Sequence, residues 1–361
     1  MHTIKAALKK VLRKPYYRLK YRRAKHRNKE KLKMTDNIRW GILATGAISR
    51  SFAHALSLIP DATLVAVGSR SQASADKFGE EFAAPNSYSS YEGVANDPDV
   101  DVVYIGTPHT LHMENTLMCL EAGKPVLVEK PFALNASQAR RMIEAAREKG
   151  LFLMEAMWTR FLPAIRHLRK TLDAKQLGDV QVFQADFGFR APYDPAGRLF
   201  NRELGGGALL DVGIYPVSFA SMVFGEQPEH IQSDAFLGET GVDERFGAIF
   251  RYPGGEMATL SGTLRSNTPR EAIISGSRGN MVIHRPFWQA EKTTTILENE
   301  AEKVIEHKIE GNGLKYQAIA VMENLRAGKL ESEVMPLDET LAIMQTMDTI
   351  REPWGLQYPG E

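Results

Sequence analysis

Between residues 38 and 154, short apolar runs alternate with amphipathic stretches of about 10–15 residues, a pattern few folds accommodate. Ile38–Leu43, Ala62–Val67, Asp101–Ile105, Pro125–Val128 and Leu151–Met154 carry almost no polar interruption. Strands of a parallel sheet read this way because helices cover both faces. Between them, Ala47 to about Leu58, Ser71–Phe82, Thr110–Glu121 and Ala136–Lys149 show helical spacing. Ser71 stands as an N-cap and Gly150 as a stop signal. The alternation predicts an α/β fold whose N-terminal part, residues 37–156, is a doubly wound parallel sheet.

After residue 157 the texture changes. Val180–Ala185, Arg245–Arg251 and Glu256–Gly262 are strand-like and separated by turn residues, which predicts a mostly antiparallel sheet. Helical stretches at Leu314–Ala327 and Leu337–Ile350 close the chain. A length of 361 residues suits two domains. Residues 37–156 are assigned to dinucleotide binding, and 157–361 to substrate binding and dimerisation.

Residues 1–36 stand apart. Residues 1–33 hold fourteen Lys or Arg and one acid, Glu30, a charge of +13. The net charge of +1 therefore leaves 1 − 13 = −12 on the rest, so the body excludes nucleic acid by bulk charge. The basic segment is either an unstructured tail or a surface helix for anionic lipid or nucleic acid, since Ile4–Leu12 is amphipathic. One cysteine, Cys119, excludes an internal disulfide and points to a reducing, cytoplasmic setting. No apolar run of about 18 residues predicts a membrane span. The histidines lack metal-binding spacing, so no metal is expected; His109 and His112 are expected to position backbone or line a cleft.

The first strand runs into the turn Ala44-Thr45-Gly46-Ala47-Ile48-Ser49, and a helix follows. A dinucleotide pyrophosphate needs small residues at such a turn and a helix N-terminus facing it. Only the middle glycine of the usual three is kept. The second strand ends at Ser69-Arg70 with no acid for a ribose 2′-hydroxyl. A guanidinium suits a 2′-phosphate, which favours NADP over NAD; Arg70 as a solvated helix-start residue is the alternative. Glu129-Lys130-Pro131 lies at a strand's carboxyl end, where ligands of open α/β sheets bind. Gly205-Gly206-Gly207 precedes a helix start on which Asp211 and Tyr215 share a face. A tyrosine hydroxyl beside a lysine suits proton transfer in alcohol–carbonyl interconversion. The plainer alternative is a buried anchor tyrosine and a capping aspartate.

Five motifs in order carry a resemblance: Gly46-Ala47-Ile48, Thr107-Pro108-His109-Thr110-Leu111-His112, Glu129-Lys130-Pro131-Phe132, Glu155-Ala156-Met157-Trp158-Thr159-Arg160-Phe161 and Gly205 to Pro216. They resemble the Gfo/Idh/MocA oxidoreductases, and within them the branch of dimeric dihydrodiol dehydrogenases and NADP-dependent D-xylose dehydrogenases. The resemblance implies a Rossmann domain, then a large open sheet through whose face homo-oligomers pair. It implies Lys130, Tyr215 and Asp211 as catalytic residues acting on a polyol, sugar or diol. Thr107, Pro108, His112, Glu129, Lys130, Trp158 and Arg160 are implied near the cofactor, and Trp158, Asp211, Tyr215 and Trp288 near the substrate. Relatives also include keto-sugar reductases, sugar–sugar oxidoreductases that retain cofactor, and non-catalytic dinucleotide sensors.

Overall fold

The computed structural model describes residues 37–361, so the basic segment and its surface-helix alternative lie outside the described residues. The first sheet contains β1 (Ile38–Leu43), β2 (Ala62–Gly68), β3 (Asn86–Tyr88), β4 (Val102–Ile105), β5 (Val126–Val128) and β6 (Leu153–Glu155). Its order is β3-β2-β1-β4-β5-β6, and every pairing is parallel. The expected apolar runs are these strands, and β4 and β5 are buried throughout. The connecting helices are α1 (Ala47–Ser57), α2 (Gln72–Phe82), α3 (Tyr91–Ala95), α4 (His112–Glu121) and α5 (Ala136–Lys149). Ser71 holds the N-cap position of α2, but its side chain makes no capping bond. Gly150 ends α5 in the left-handed region at φ 64°, as a stop glycine should.

The second sheet has eight strands: β7 (Val180–Gly188), β8 (His230–Leu237), β9 (Asp243–Arg251), β10 (Met257–Thr263), β11 (Ala272–Gly276), β12 (Gly279–Ile283), β13 (Lys292–Leu297) and β14 (Lys303–Glu306). The order is β14-β13-β12-β11-β7-β10-β9-β8, antiparallel except where β7 meets β10. Along β9, Phe246, Ala248 and Phe250 are buried, while Arg245, Ile249 and Arg251 face outward. That period-two alternation marks a sheet covered on one side only.

Four helices complete the domain: α6 (Pro163–Asp173), α7 (Ile214–Phe224), α8 (Lys315–Arg326) and α9 (Leu337–Arg351). The stretch Arg202–Phe224 is apolar enough for a membrane span by composition, yet it is core: Ile214 to Ser221 are all buried. Helix α9 packs back on α5, placing Leu337 and Met344 in one core with Phe132, Ile143 and Leu153. Each such buried side chain contributes about 1.5–3 kcal/mol. Asp348 on α9 also accepts the Ala136 N–H at 2.8 Å, setting an acid against the α5 N-terminus.

Candidate active site

The strand order of the first sheet reverses direction between β1 and β4, and a crevice opens at the carboxyl ends of those strands. The chain leaves β1 through Ala44 at φ 76°, a left-handed conformation in which glycine has no steric penalty. Gly46 then caps α1, whose first turn carries no acid, leaving its N-terminal dipole to face the crevice. At the third small position, Ser49 is fully buried, and a Cβ on Gly106 would lie 2.4 Å from its hydroxyl. The small residue needed for close packing has thus moved from the helix to the facing end of β4.

Ala44→Gly is expected to raise thermal stability. Relief of the left-handed strain is worth about 1–2 kcal/mol, offset by about 0.4–1 kcal/mol of added unfolded-chain entropy. A thermal melt reads the sign; a lower Tm would mean that the Ala44 methyl packs better than its backbone conformation costs.

The crevice is lined by the turn Ala44–Ile48, by Ser69 and Arg70 at the end of β2, by Thr107, Pro108, His109 and His112 after β4, and by Glu129 and Lys130 after β5. His112 lies between two carbonyls, Pro131 O at 2.8 Å and Thr107 O at 3.0 Å. Burial pushes its pKa down to about 4 against the pull of these acceptors. It ties the start of α4 to the turn after β5. His109 donates from Nδ1 to Gly205 O at 3.0 Å, and burial with the neighbouring His112 lowers it to about 3. Burial disfavours the charged form of both rings.

Lys130 crosses the crevice to the second domain. Its ammonium donates to the Asp211 carbonyl at 2.8 Å, lies 3.4 Å from Asp211 Oδ1, and sits 4.9 Å from the Tyr215 ring centroid. Arg198 donates to the same Oδ1 at 2.8 Å. Burial opposes ionisation of Asp211, but Lys130 and Arg198 together hold its carboxyl well below the usual range. Burial also opposes charge on Lys130, yet Tyr215, Asp211 and Glu129 outweigh it and raise its pKa. Glu129 accepts from the Tyr104 hydroxyl at 2.7 Å and from the Lys130 N–H at 3.2 Å, which fixes the turn that launches the lysine.

Asp211 and Tyr215 do not share one regular α-helix. Leu209–Gly213 is a π-helical turn in which Ile214 N–H reaches back to Leu209 O, and α7 begins only at Ile214. Both residues still line the crevice. The Tyr215 oxygen accepts from Trp158 Nε1 at 3.0 Å, which leaves the phenol proton for another partner. Burial raises its pKa, and Lys130, whose ammonium lies 4.9 Å from the ring centroid, lowers it by less.

Arg160 and Trp288 are not among the residues that line the crevice. Arg160 does not face the crevice: its guanidinium is buried behind α7, donating to Ser218 Oγ at 3.1 Å and Ser218 O at 2.6 Å and pairing with Glu339 at 2.7 Å. Successive side chains of the 3₁₀ turn Trp158–Phe161 point about 120° apart, so Trp158 meets Tyr215 while Arg160 turns away. Trp288 stacks on Phe187, with centroids 3.4 Å apart, and its ring lies 6.2 Å from that of Tyr215. With Phe187, Phe287 and Tyr215 it forms an aromatic wall. Tyr91, Gly106, Leu204 and Arg198 line the crevice as well. Sequence reasoning missed Arg198 because it follows the irregular Asp194-Pro195-Ala196-Gly197 stretch, where no periodicity singles it out.

The crevice has a volume of about 670 Å³. A pyrophosphate fits its inner end, where the Gly46 Cβ position is free of contacts and the α1 N-terminus opens. A Rossmann crevice ending in a lysine and a buried tyrosine defines a dinucleotide-dependent oxidoreductase. Comparison agrees. Residues 38–157 match the model of the oxidoreductase family with an NAD-binding Rossmann fold, and residues 165–282 match the GFO/IDH/MocA C-terminal domain. The chain belongs to the Gfo/Idh/MocA oxidoreductase family. It is 41% identical over 331 residues to a trans-1,2-dihydrobenzene-1,2-diol dehydrogenase of Xenopus laevis, covering 89% of this chain and 99% of that one. A 3-ketoreductase of Actinomadura kijaniata, solved with NADP and TDP-benzene, superposes with a TM-score of 0.77 at 26% identity over 88% of this chain and 97% of its own. A levoglucosan dehydrogenase, solved with NADH and levoglucosan, shares the fold with a TM-score of 0.80 at 20% identity over 88% of this chain and 96% of its own.

Proposed function

We propose that the protein is an NADP-dependent dehydrogenase that interconverts a secondary alcohol, on a sugar or a trans-dihydrodiol, and the corresponding carbonyl. The observation that carries this is the Tyr215 hydroxyl, held by Trp158 and facing the crevice beside Lys130. Bound in the crevice, the nicotinamide supplies the hydride acceptor for alcohol oxidation. Tyr215 exchanges the proton of the substrate oxygen. Lys130 stabilises the negative charge that develops on the tyrosine, and Asp211 holds Lys130 in place through its carbonyl and carboxylate. The dihydrodiol substrate named for the Xenopus laevis relative is the first to test.

Arg70 supports NADP: it lines the crevice, and among the described residues no carboxylate pairs with it. Absorbance at 340 nm with trans-dihydrodiols and aldoses tests the activity, and kcat/KM for NADP against NAD tests the cofactor. Arg70→Ala is expected to cut the NADP preference about 10-fold or more, the worth of one charge-assisted bond. An unaltered ratio would remove Arg70 from cofactor choice. The outward face of the second sheet, with Val182, Ile249 and Met257 exposed, supports a homo-oligomer paired through that face. Light scattering that gives the monomer mass would exclude it.

A further inference from the structure

We propose that Asp243 and Tyr358 are positioning residues of the active site: from behind, they brace the turn on which the Lys130–Asp211 contact and the placement of Tyr215 depend. This rests on the dehydrogenase activity proposed above and goes beyond it to what holds the site in place. Neither side chain lines the crevice. Asp243 opens β9 and is fully buried, and its Oδ2 accepts the Leu209 N–H at 2.6 Å, a short, charge-assisted bond. Tyr358 is buried as well and donates from its hydroxyl to Gly206 O at 2.7 Å. Its own place is set by Glu361, whose Oε2 accepts both the Tyr358 N–H and an Arg351 N–H at 2.7 Å.

These two bonds reach the catalytic segment where it has least support of its own. Leu209–Gly213 is π-helical, and the three glycines before it have no side chains to pack. Gly207 passes so close that a Cβ there would collide with Asp243 Oδ1 and lie 3.0 Å from the Tyr358 hydroxyl. From this brace the backbone leads directly to the reacting groups. Gly207 O accepts the Asp211 N–H at 3.2 Å, and the Asp211 carbonyl accepts from Lys130 at 2.8 Å. Leu209 O accepts the Ile214 N–H, one residue before Tyr215. Leu209 thus holds Asp243 with its N–H and the start of α7 with its carbonyl. A shift of this one residue moves the partner of Lys130 and the base of Tyr215 together.

The test uses the full chain with NADP and trans-1,2-dihydrobenzene-1,2-diol. In Asp243→Ala, kcat should fall about 10-fold or more, since a misplacement of about 1 Å costs up to about 10²-fold, while nucleotide affinity holds. The alkaline limb of the oxidation profile reports Tyr215. It should move up in pH, because a displaced Lys130 lowers the Tyr215 pKa less. Glu129, Tyr104, Asp211 and Arg198 also interact electrostatically with Tyr215, and none of them is replaced. Burial pushes the Asp243 carboxyl only up to about 7, beside Arg351 and Tyr358, so its own titration lies below that limb. Asp243→Asn keeps an oxygen for Leu209 and should restore both kcat and the limb; a kcat as low as that of Asp243→Ala would overturn the proposal. An unmoved limb in Asp243→Ala, whatever its Tm, would reduce Asp243 to a helix cap and also overturn it. Tyr358→Phe keeps the ring and should show the same changes, smaller. If Asp243→Ala fails to fold, Tyr358→Phe decides alone, and wild-type kcat and limb there would sink the brace. A wild type that does not oxidise the diol removes the dehydrogenase reading, and crystal structures of the variants then decide. A Lys130–Asp211 carbonyl distance still at 2.8 Å would overturn the brace, and a longer one would support it.

Discussion

Tyr215→Phe is expected to lower kcat about 10²–10⁴-fold, the range for losing a general acid–base group. Affinity for the nucleotide should hold, because the Tyr215 hydroxyl bonds Trp158 and not the inner end of the crevice. The pH profile separates chemistry from packing. Burial raises the Tyr215 pKa from its ordinary value near 10, and Lys130 recovers only part of that shift. At neutral pH the group is a phenol, ready to donate a proton in carbonyl reduction. Alcohol oxidation needs the phenolate, so its rate should climb with pH well into the alkaline range while reduction stays flat and then declines. The phenylalanine variant should lose that slope. A Tyr215→Phe enzyme with the wild-type rate and pH profile would show that the tyrosine is only an anchor.

The first sheet was legible because parallel strands buried on both faces cannot alternate, and the runs at Ile38, Ala62 and Val102 do not. Lys130 was legible because it ends such a strand. Other features depend on packing that no local pattern records. Ser49 and Gly106 are complementary across a helix–strand contact, and each looks ordinary alone. The helical period of Leu337–Ile350 was readable, but its return to pack on α5 was not, since periodicity names an apolar face without naming what it covers. Strands β11 to β14 are short, and Thr293–Thr295 is buried though polar, which hides β13 from a hydrophobicity pattern. Trp158 and Arg160 go separate ways, one to Tyr215 and the other to Ser218, because a tight turn gives near neighbours in sequence opposite destinations.

Asp211→Leu is expected to destabilise the fold more than any other change at the site. Asp211 is the shared counter-ion of Lys130 and Arg198. Arg198 is more than half exposed and can turn to water, so its loss of a partner counts for little. The Lys130 side chain is only 14% exposed. Removing one member of a buried pair costs about 3–5 kcal/mol. The lower end applies here, because the Asp211 carbonyl, Glu129 and Tyr215 remain near the lysine. The two proteins should differ in pH response at both extremes. In the wild type, the depressed Asp211 pKa gives stability that is present above the unfolded value of about 3.9 and lost as pH falls through the folded value. Leucine at 211 removes that acid-side loss. In the variant, burial is less opposed at Lys130, so its folded pKa drops below the unfolded value of about 10.4. The folded state then binds fewer protons than the unfolded one in that window, and stability recovers as pH rises toward about 10. Urea unfolding at about pH 5, 7 and 9 should therefore show a wide gap at the first two and a narrower one at the third. Asp211→Asn, which keeps an acceptor for Arg198 but no charge, should fall between. Equal unfolding midpoints for wild type and Asp211→Leu at neutral pH would mean that Lys130 does not need this carboxylate, and the catalytic arrangement would have to rest on the Asp211 carbonyl alone.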